Sequence, residues 1–406
     1  MGNLEETVLQ KIDEMKDEIV DFHQKIIQIP SENPPGKYNE VVKFTETKMK
    51  EIGLKTKIKR RNVIGELGEN EKKTIIFNAH YDTVEAFENW TKDPFGGEIE
   101  DGKIYGRGSS DDKSCVTAEI FATKALKETG VDLNGKLIVT ATGDEELGGL
   151  SGVKYLLSSG LIKGNVCLLG DGPPDYPYGH TGGTFYITFV IRGKSGHGLG
   201  NPDLPDKYHN QYSGINAIER MVKIMSFLMQ LNEEFLTNET QYKLAEGATT
   251  KVSHINLAEI HGGNKISIVP GRCYLHCSVN TIPEQSIESI KTRILDFVEE
   301  MKKQDRLLDI SVMIPISLEP VVIDGKSDFA KAVQKSMRTI FEEEREFRLF
   351  MPSTDAHWFQ ERGIETILIG TSRIDNNIHN TDEFVLIDDL INTTKVYALT
   401  ALNYLT

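Results

Sequence analysis

A hydrolytic metal site needs imidazole and carboxylate groups held where the chain can aim them into one space. Several short stretches offer such groups: His80-Tyr81-Asp82, Gly106-Arg107-Gly108-Ser109-Ser110-Asp111-Asp112-Lys113, Asp144-Glu145-Glu146, Asp171, and His379-Asn380-Thr381-Asp382-Glu383. One histidine, one bridging carboxylate, an adjacent acidic pair, a further carboxylate and a last histidine suffice for two divalent ions and a general base. In a strand, residues two apart point the same way, so His80 and Asp82 project together. That suits a metal-binding imidazole whose other nitrogen is held by a supporting carboxylate. Asp111 follows a glycine-rich loop that can turn sharply, and a carboxylate there can give one oxygen to each ion. Glu145 and Glu146 are neighbours, so their side chains diverge. One can bind metal while the other faces the water and takes its proton.

Each fragment also has a plainer reading. His-x-Asp is often an incidental pair on a strand, Glu-Glu is usually solvated, and Asp112 has the type and place of a helix N-cap. The order and separation of the pieces favour the metal site.

The elements that must position these groups follow from hydrophobic spacing. Leu4, Val8, Ile12, Met15, Ile19, Phe22 and Ile26 predict one long amphipathic helix, stopped at Pro30 and followed by a rigid turn at Asn33-Pro34-Pro35-Gly36. A second helix is expected over 37–53. Buried strands over 73–78, 137–142 and 166–169 deliver His80, the Glu145-Glu146 pair and Asp171 at their C-terminal ends, with helices at 113–129 and 149–160 between them. Alternating apolar strands and helices indicate an α/β layer fold, in which ligands gather beyond the strand ends. After Gly182-Gly183 the order becomes strand 186–191, helix 214–231, strands 250–260 and 272–280, helix 284–302 and strand 308–314. That β-α-β-β-α-β order is ferredoxin-like and reads as a small inserted domain. The expected division is therefore 1–182 and 317–406 for one catalytic domain, interrupted by 183–316.

A chain of 406 residues is long enough for two domains. Its net charge of −15 argues against nucleic acid and anionic membranes as partners. The acidic opening Met1-Gly2-Asn3-Leu4-Glu5-Glu6 does not resemble a signal peptide, and no apolar run approaches a membrane span. Cys115, Cys167, Cys273 and Cys277 are too scattered for a disulfide framework, and Cys273 and Cys277 read as small buried hydrophobes. A reduced, cytoplasmic protein is expected.

The same motifs carry a family resemblance over nearly the whole chain. To the stretches above it adds Pro30-Ser31-Glu32-Asn33-Pro34-Pro35-Gly36, Gly193-Lys194-Ser195-Gly196-His197-Gly198, Gly262-Gly263 and Ser353-Thr354-Asp355-Ala356. The chain resembles the two-metal peptidase and deacylase family of aminoacylase, glutamate carboxypeptidase, acetylornithine deacetylase, succinyl-diaminopimelate desuccinylase and the carnosine dipeptidases. The resemblance implies a zinc-peptidase-like α/β domain with a mixed sheet flanked by helices, and an inserted ferredoxin-like lid that forms a homodimer. It implies that one metal takes His80 and Asp171, the other Glu146 and His379, and that Asp111 bridges them. Glu145 becomes the general base, Asp82 supports His80, and His197 reaches the partner subunit's site to polarise the scissile carbonyl. It also implies a cis peptide between Asp111 and Asp112. Oxygen and nitrogen ligands without thiolates suit two Zn²⁺ ions, with Co²⁺ or Mn²⁺ as alternatives.

The implied reaction is hydrolysis of a small N-acyl amino acid, or alternatively of a dipeptide or a peptide C-terminus. Deacylase relatives commonly carry aspartate and arginine where this chain has Ser278 and Asn280, and asparagine where it has Ser267. They also typically use glutamate where Asp171 stands. Asparagine cannot replace arginine as a bidentate clamp for a carboxylate. The stretch from Asn201 to Tyr212 is longer than usual for such relatives and adjoins the His197 motif.

Overall fold

A computed structural model describes residues 2–70, 72–198 and 214–406. The 201–212 stretch lies outside the described residues. The apolar stripe at the N-terminus is buried as its spacing requires, with Val8, Ile12, Ile19 and Ile26 fully inaccessible. The single helix expected there is instead two, Gly2–Glu14 and Lys16–Ile27. Met15 takes φ −93° and ψ 5°, and its N–H is shared between the carbonyls of Lys11 (3.2 Å) and Ile12 (3.0 Å). Sharing of that kind tightens a turn locally while leaving the buried stripe continuous. Hydrophobic spacing therefore carries no sign of the break.

The main sheet has eight strands in the order Lys55–Lys59, Asn62–Leu67, Lys136–Thr142, Thr74–His80, Val166–Leu169, Glu365–Leu368, Tyr178–Thr181, Arg348–Phe350. Its centre is parallel: Thr74–His80 pairs in that sense with both Lys136–Thr142 and Val166–Leu169, and the latter with Glu365–Leu368. The Asn62–Leu67 side is antiparallel, so the sheet is mixed. Both faces are covered. Ile75 and Phe77 pack with Phe121 of Lys113–Glu128 and Tyr397 of Ile387–Leu405. Ile76 points the other way and packs with Leu156 of Val153–Ser158 and Phe359 of Ala356–Gln360. Burial on both faces explains why these strands read as continuous apolar runs rather than alternating ones.

A second sheet follows the expected order of elements. His254–Gly262, Arg272–Thr281, Gly183–Arg192 and Asp309–Met313 lie side by side, all antiparallel. Phe185, Ile187, Phe189 and Ile191 alternate onto one face, where Met221 and Leu228 of Ala217–Phe235 and Ile294 and Val298 of Ile287–Gln304 meet them. Cys273 and Cys277 are buried free thiols in this core. Asn216 and Ser286 start the two helices, each accepting hydrogen bonds from backbone N–H groups of the first turn. His254–Gly262 is the outermost strand of the sheet.

A small three-stranded sheet sets the site's geometry. Phe384–Leu386 pairs with Lys103–Tyr105, which pairs with Ile99–Glu100. It brings the loop before Asp111 alongside the loop after His379, and the Gly106 N–H donates to the Glu383 carbonyl at 2.9 Å.

Gly182 joins the Tyr178–Thr181 strand of the main sheet to the Gly183–Arg192 strand of the second. A Cβ there would lie 2.1 Å from the Met351 carbonyl oxygen. Gly182→Ala should therefore push strands apart and lower stability by about 1–3 kcal/mol. The urea midpoint of the variant against the parent measures this, and an unchanged midpoint would contradict the packing.

Candidate metal centre

His80 is the last residue of its strand, and the 136–142 and 166–169 strands end just short of the Glu145-Glu146 turn and Asp171. The three parallel strands therefore deliver their polar residues to one edge of the sheet. The peptide between Asp111 and Asp112 is cis, as the family resemblance implied. Asp111 stands between two imidazoles: its Oδ1 is 3.2 Å from His80 Nε2 and its Oδ2 is 3.2 Å from His379 Nε2. Glu146 Oε2 lies 3.3 Å from His379 Nε2. Donor atoms of His80, Asp111 and Glu146 all fall within 4.8 Å of one another. Glu145 is set further back, with Oε2 4.0 Å from His80 Nε2. Asp111, Glu145, Glu146, Asp171 and His379 all line one cavity of about 470 Å³.

Backbone donors orient the carboxylates. The Val84 N–H donates to Glu146 Oε1 (3.1 Å) and the Gly172 N–H to Asp171 Oδ1 (2.8 Å). In each case the other oxygen stays available to the cavity. Asp82 is fully buried and does more than face His80. Its Oδ1 is 3.5 Å from His80 Nδ1, while its backbone oxygen is closer, at 3.0 Å. Its carboxylate accepts the Glu145 N–H (3.2 Å), the Glu146 N–H (3.4 Å) and Asn33 Nδ2 (3.1 Å). Asp82 thus ties the proline-rich turn to the acidic pair. Asp112 begins the 113–128 helix but its side chain caps nothing there; Oδ2 accepts the His80 N–H at 3.2 Å instead.

The electrostatics are those of crowded acids. Burial, reinforced by the nearby Asp355, Asp171 and Glu146, holds the Glu145 carboxyl well above its ordinary range. Burial and Asp111 push Asp171 up to about 7. Burial does the same to Asp355, with Asp82, Asp171 and Asp144 adding to it. Hydrogen bonds to the carboxylates of Asp111 and Glu146 raise His379 to about 11. Such a cluster is relieved by multivalent positive charge, and its donors are imidazole nitrogen and carboxylate oxygen. Both features fit divalent metal ions.

Two contributors gave no signal of their role in the sequence. Arg107 and Glu383 form a buried ion pair at 2.5 Å. The Glu383 carboxylate also accepts the N–H groups of Gly108 (3.2 Å), Ser110 (3.0 Å) and Asp111 (3.1 Å). Arg107 Nη2 donates to the Asn380 carbonyl at 3.0 Å, beside His379. A buried arginine demands an acid, but nothing in the sequence says the acid lies near the other end of the chain. Asp355 packs against Gly149, where a Cβ would fall 2.0 Å from its Oδ1.

Other expected residues sit elsewhere. His197 is exposed on the short strand Gly196–His197, paired with Ile268–Val269, and is not among the residues lining the cavity. Asn280 Oδ1 accepts from Thr184 Oγ1 at 2.9 Å within the second sheet, and neither Asn280 nor Ser278 lines the cavity.

Comparison with known proteins agrees with this geometry. A model of peptidase family M20/M25/M40 matches residues 76–403. The chain belongs to this family. It is accordingly a metallohydrolase acting on amide bonds. A deformylase of N-formyl-4-amino-5-aminomethyl-2-methylpyrimidine from Halalkalibacterium halodurans is 24% identical, over 96% of this chain and 95% of its own. An acetylornithine deacetylase from Vibrio parahaemolyticus is 26% identical over 90% and 91%. Among solved structures, the dipeptidase Dug1p of Saccharomyces cerevisiae has the same fold, with a TM-score of 0.78 at 16% identity over 100% of this chain and 99% of that one. No described helix is long and apolar enough to cross a membrane.

The Glu383 contacts lead to a test. Glu383→Gln removes the charge that opposes Arg107 and weakens three backbone anchors of the Asp111 loop. Divalent-metal affinity should fall by about 10–100-fold, the usual effect of removing a group that orients a ligand. Calorimetric titration of the metal-stripped variant with Zn²⁺ reads this directly, and parental affinity would deny Glu383 the role.

Proposed function

We infer that this enzyme hydrolyses the amide bond of N-acyl amino acids, in the manner of the acetylornithine and succinyl-diaminopimelate deacylases. Two divalent ions per subunit, best suited as Zn²⁺, would be held by His80 and Asp171, by Glu146 and His379, and by Asp111 between them. The observation that carries the reading is the contrast within the acidic pair. Glu146 is 3.3 Å from His379 whereas Glu145 stays 4.0 Å from His80, in the same cavity. A carboxylate held beside the ligand cluster but back from it is placed to move protons rather than to bind metal.

Divalent cations there supply Lewis acidity, polarising the amide carbonyl and acidifying water. Glu145 accepts the proton of the attacking water and returns it to the leaving nitrogen. Its raised pKa, due first to burial, suits it to hold that proton between the two steps. Asp82 keeps the Glu145-Glu146 turn in place through its two backbone N–H groups. Segment 183–316 acts as a lid and dimerisation domain, whose outer strand His254–Gly262 offers an edge for pairing about a two-fold axis. His197 then comes from the partner subunit to stabilise the developing oxyanion. The substrate is a small molecule and the setting cytoplasmic.

A dipeptidase of the same family is the second reading. Asp171 in place of glutamate and Asn280 in place of the arginine clamp favour it. Parallel assays of N-acetyl and N-succinyl amino acids against dipeptides decide between the two.

Glu145→Gln should retain metal and lose hydrolysis by about 10²–10⁴-fold, since an amide cannot accept the proton. More than a tenth of parental turnover would remove Glu145 from the role. For His197, complementation is the measurement. Inactive His197→Ala and Glu145→Gln proteins are mixed and allowed to exchange subunits. Each mixed dimer then has one site with intact base, metal ligands and partner histidine, and activity should return to about half of the parent per mixed dimer. Proven exchange without activity would place His197 within its own chain's chemistry or outside it.

A further inference from the structure

Much of the cavity wall above the acidic cluster is apolar. Its walls come from separate segments: Ala245 and Ala248 from a turn in the middle of the chain, Phe350 and Met351 from the end of an edge strand, Ile374 and Ile378 from the loop before His379. These segments are remote in sequence and converge only in the fold. Ile374 keeps 58% of its surface exposed at the entrance, yet reaches across to the turn opposite, where a Cβ on Gly247 would lie 3.3 Å from its Cδ1. Large apolar side chains left open around a polar floor mark a place where ligand surface is expected.

Positive charge is missing from the same walls. Among the described residues no lysine or arginine lines the cavity, and its one histidine, His379, faces Asp111 and Glu146. The cations of the flanking segments are engaged elsewhere. Arg373 donates through Nε and Nη2 to both oxygens of Asp389, at 2.6 and 2.9 Å. Arg348 stacks on the Tyr176 ring, 3.3 Å from its centroid. Arg345 pairs with Glu343, and Lys243 with Glu346. The neutral groups that remain are Ser353, Ser372, Asn377 and Asn380, enough to orient a ligand but not to neutralise one.

We propose that the walls of this cavity select a substrate whose acyl chain or side chain is apolar and uncharged, and discriminate against one that carries a second carboxylate there, as a succinyl group does. The proposal rests on the amide-hydrolase reading of the site and narrows its substrate class. A carboxylate moved from water onto these walls, away from the metal floor, loses hydration and meets no lysine or arginine among the described residues, whereas an alkyl or aromatic group gains contact with Phe350, Met351, Ile374 and Ile378. A hydrophobic pocket distinguishes ligands by about 10–200-fold per methylene-sized difference, so at least about tenfold is expected here.

Two ligand series cover both orientations of the substrate. One compares N-hexanoylglycine with N-succinylglycine, and the other N-acetylphenylalanine with N-acetylglutamate. Dissociation constants are measured by calorimetry on zinc-loaded Glu145→Gln protein, so affinity is read whether or not turnover occurs. In the series whose varied group enters the cavity, the apolar member should bind at least about tenfold more tightly. Ile374→Arg, at an exposed position that tolerates charge, should narrow or reverse that ratio. The proposal is overturned if neither series shows the preference, if the apolar members do not bind, or if Ile374→Arg leaves the ratio unchanged. Failure of the deacylase reading looks different: the parent enzyme hydrolyses no member of either series while the binding preference stands.

Discussion

Carboxylates buried beside one another repel, and burial makes the repulsion stronger because little water is present to screen it. Asp111, Glu145, Glu146 and Asp171 share one cavity, with Asp82 and Asp355 buried behind them. Burial first, and that crowding after it, push Glu145, Asp171 and Asp355 upward. Left to themselves such groups would take up protons or turn away from one another. The surrounding structure resists the second outcome by fixing their backbones and one oxygen of several of them. It leaves divalent positive charge as the natural answer to the first. Much of the architecture near the sheet edge follows from that one requirement.

Two carboxylates, Asp82 and Glu383, do most of the fixing. Asp82 joins the proline-rich turn, the end of the central strand and the acidic pair through its hydrogen bonds to Asn33, Glu145 and Glu146. Glu383 joins the Asp111 loop to the His379 loop by accepting backbone N–H groups and the Arg107 guanidinium. Each is acceptor-only when ionised, so each can collect several donors from segments with no other reason to meet. The ligands are consequently coupled. Disturbing the Glu383 network moves Asp111 and His379 together, and effects measured singly on these residues will not add.

What the sequence disclosed follows from what periodicity encodes. Apolar runs over the central strands placed His80, Glu145, Glu146 and Asp171 at strand ends, and the ferredoxin-like order of the second sheet was readable from alternating periods. Asp111 and His379 stand in loops, on which periodicity is silent, and their reading came from the order of the motifs and the family resemblance. The break at Met15 was invisible because the buried stripe runs straight through it. Asp112 had the type and position of a helix cap, but a competing donor, the His80 N–H, took its side chain. Arg107 and Glu383 could not be paired in advance: spacing reports which face a residue shares with its neighbours, not which distant residue meets it. The cavity walls were hidden for the same reason, being drawn from the 245–248 turn, the Phe350 strand end and the Ile374 loop.

The division between legible and illegible residues parallels a division of labour. Groups of the metal cluster stand at or just beyond the ends of the central strands and on the loops clamped by Asp82 and Glu383, where a small displacement would spoil their geometry. Wall residues are more mixed: Ile374 and Ile378 share the His379 loop, whereas the 245–248 turn comes from the chain between the Ala217–Phe235 helix and the His254–Gly262 strand of the second sheet. Ala245, Ala248 and Phe350 make none of the hydrogen bonds of the Asp82 and Glu383 clamps, so a side chain exchanged there leaves those bonds in place. Relatives named a deformylase and a deacetylase align over nine-tenths or more of this chain, and a solved structure named a dipeptidase shares its fold. Variation of that breadth on one scaffold is what rigid chemistry behind replaceable walls permits. On the proposal made above, the amide-cleaving apparatus belongs to the cluster and the choice of substrate to the three wall segments, whose side chains are largely apolar and include no lysine or arginine among the described residues.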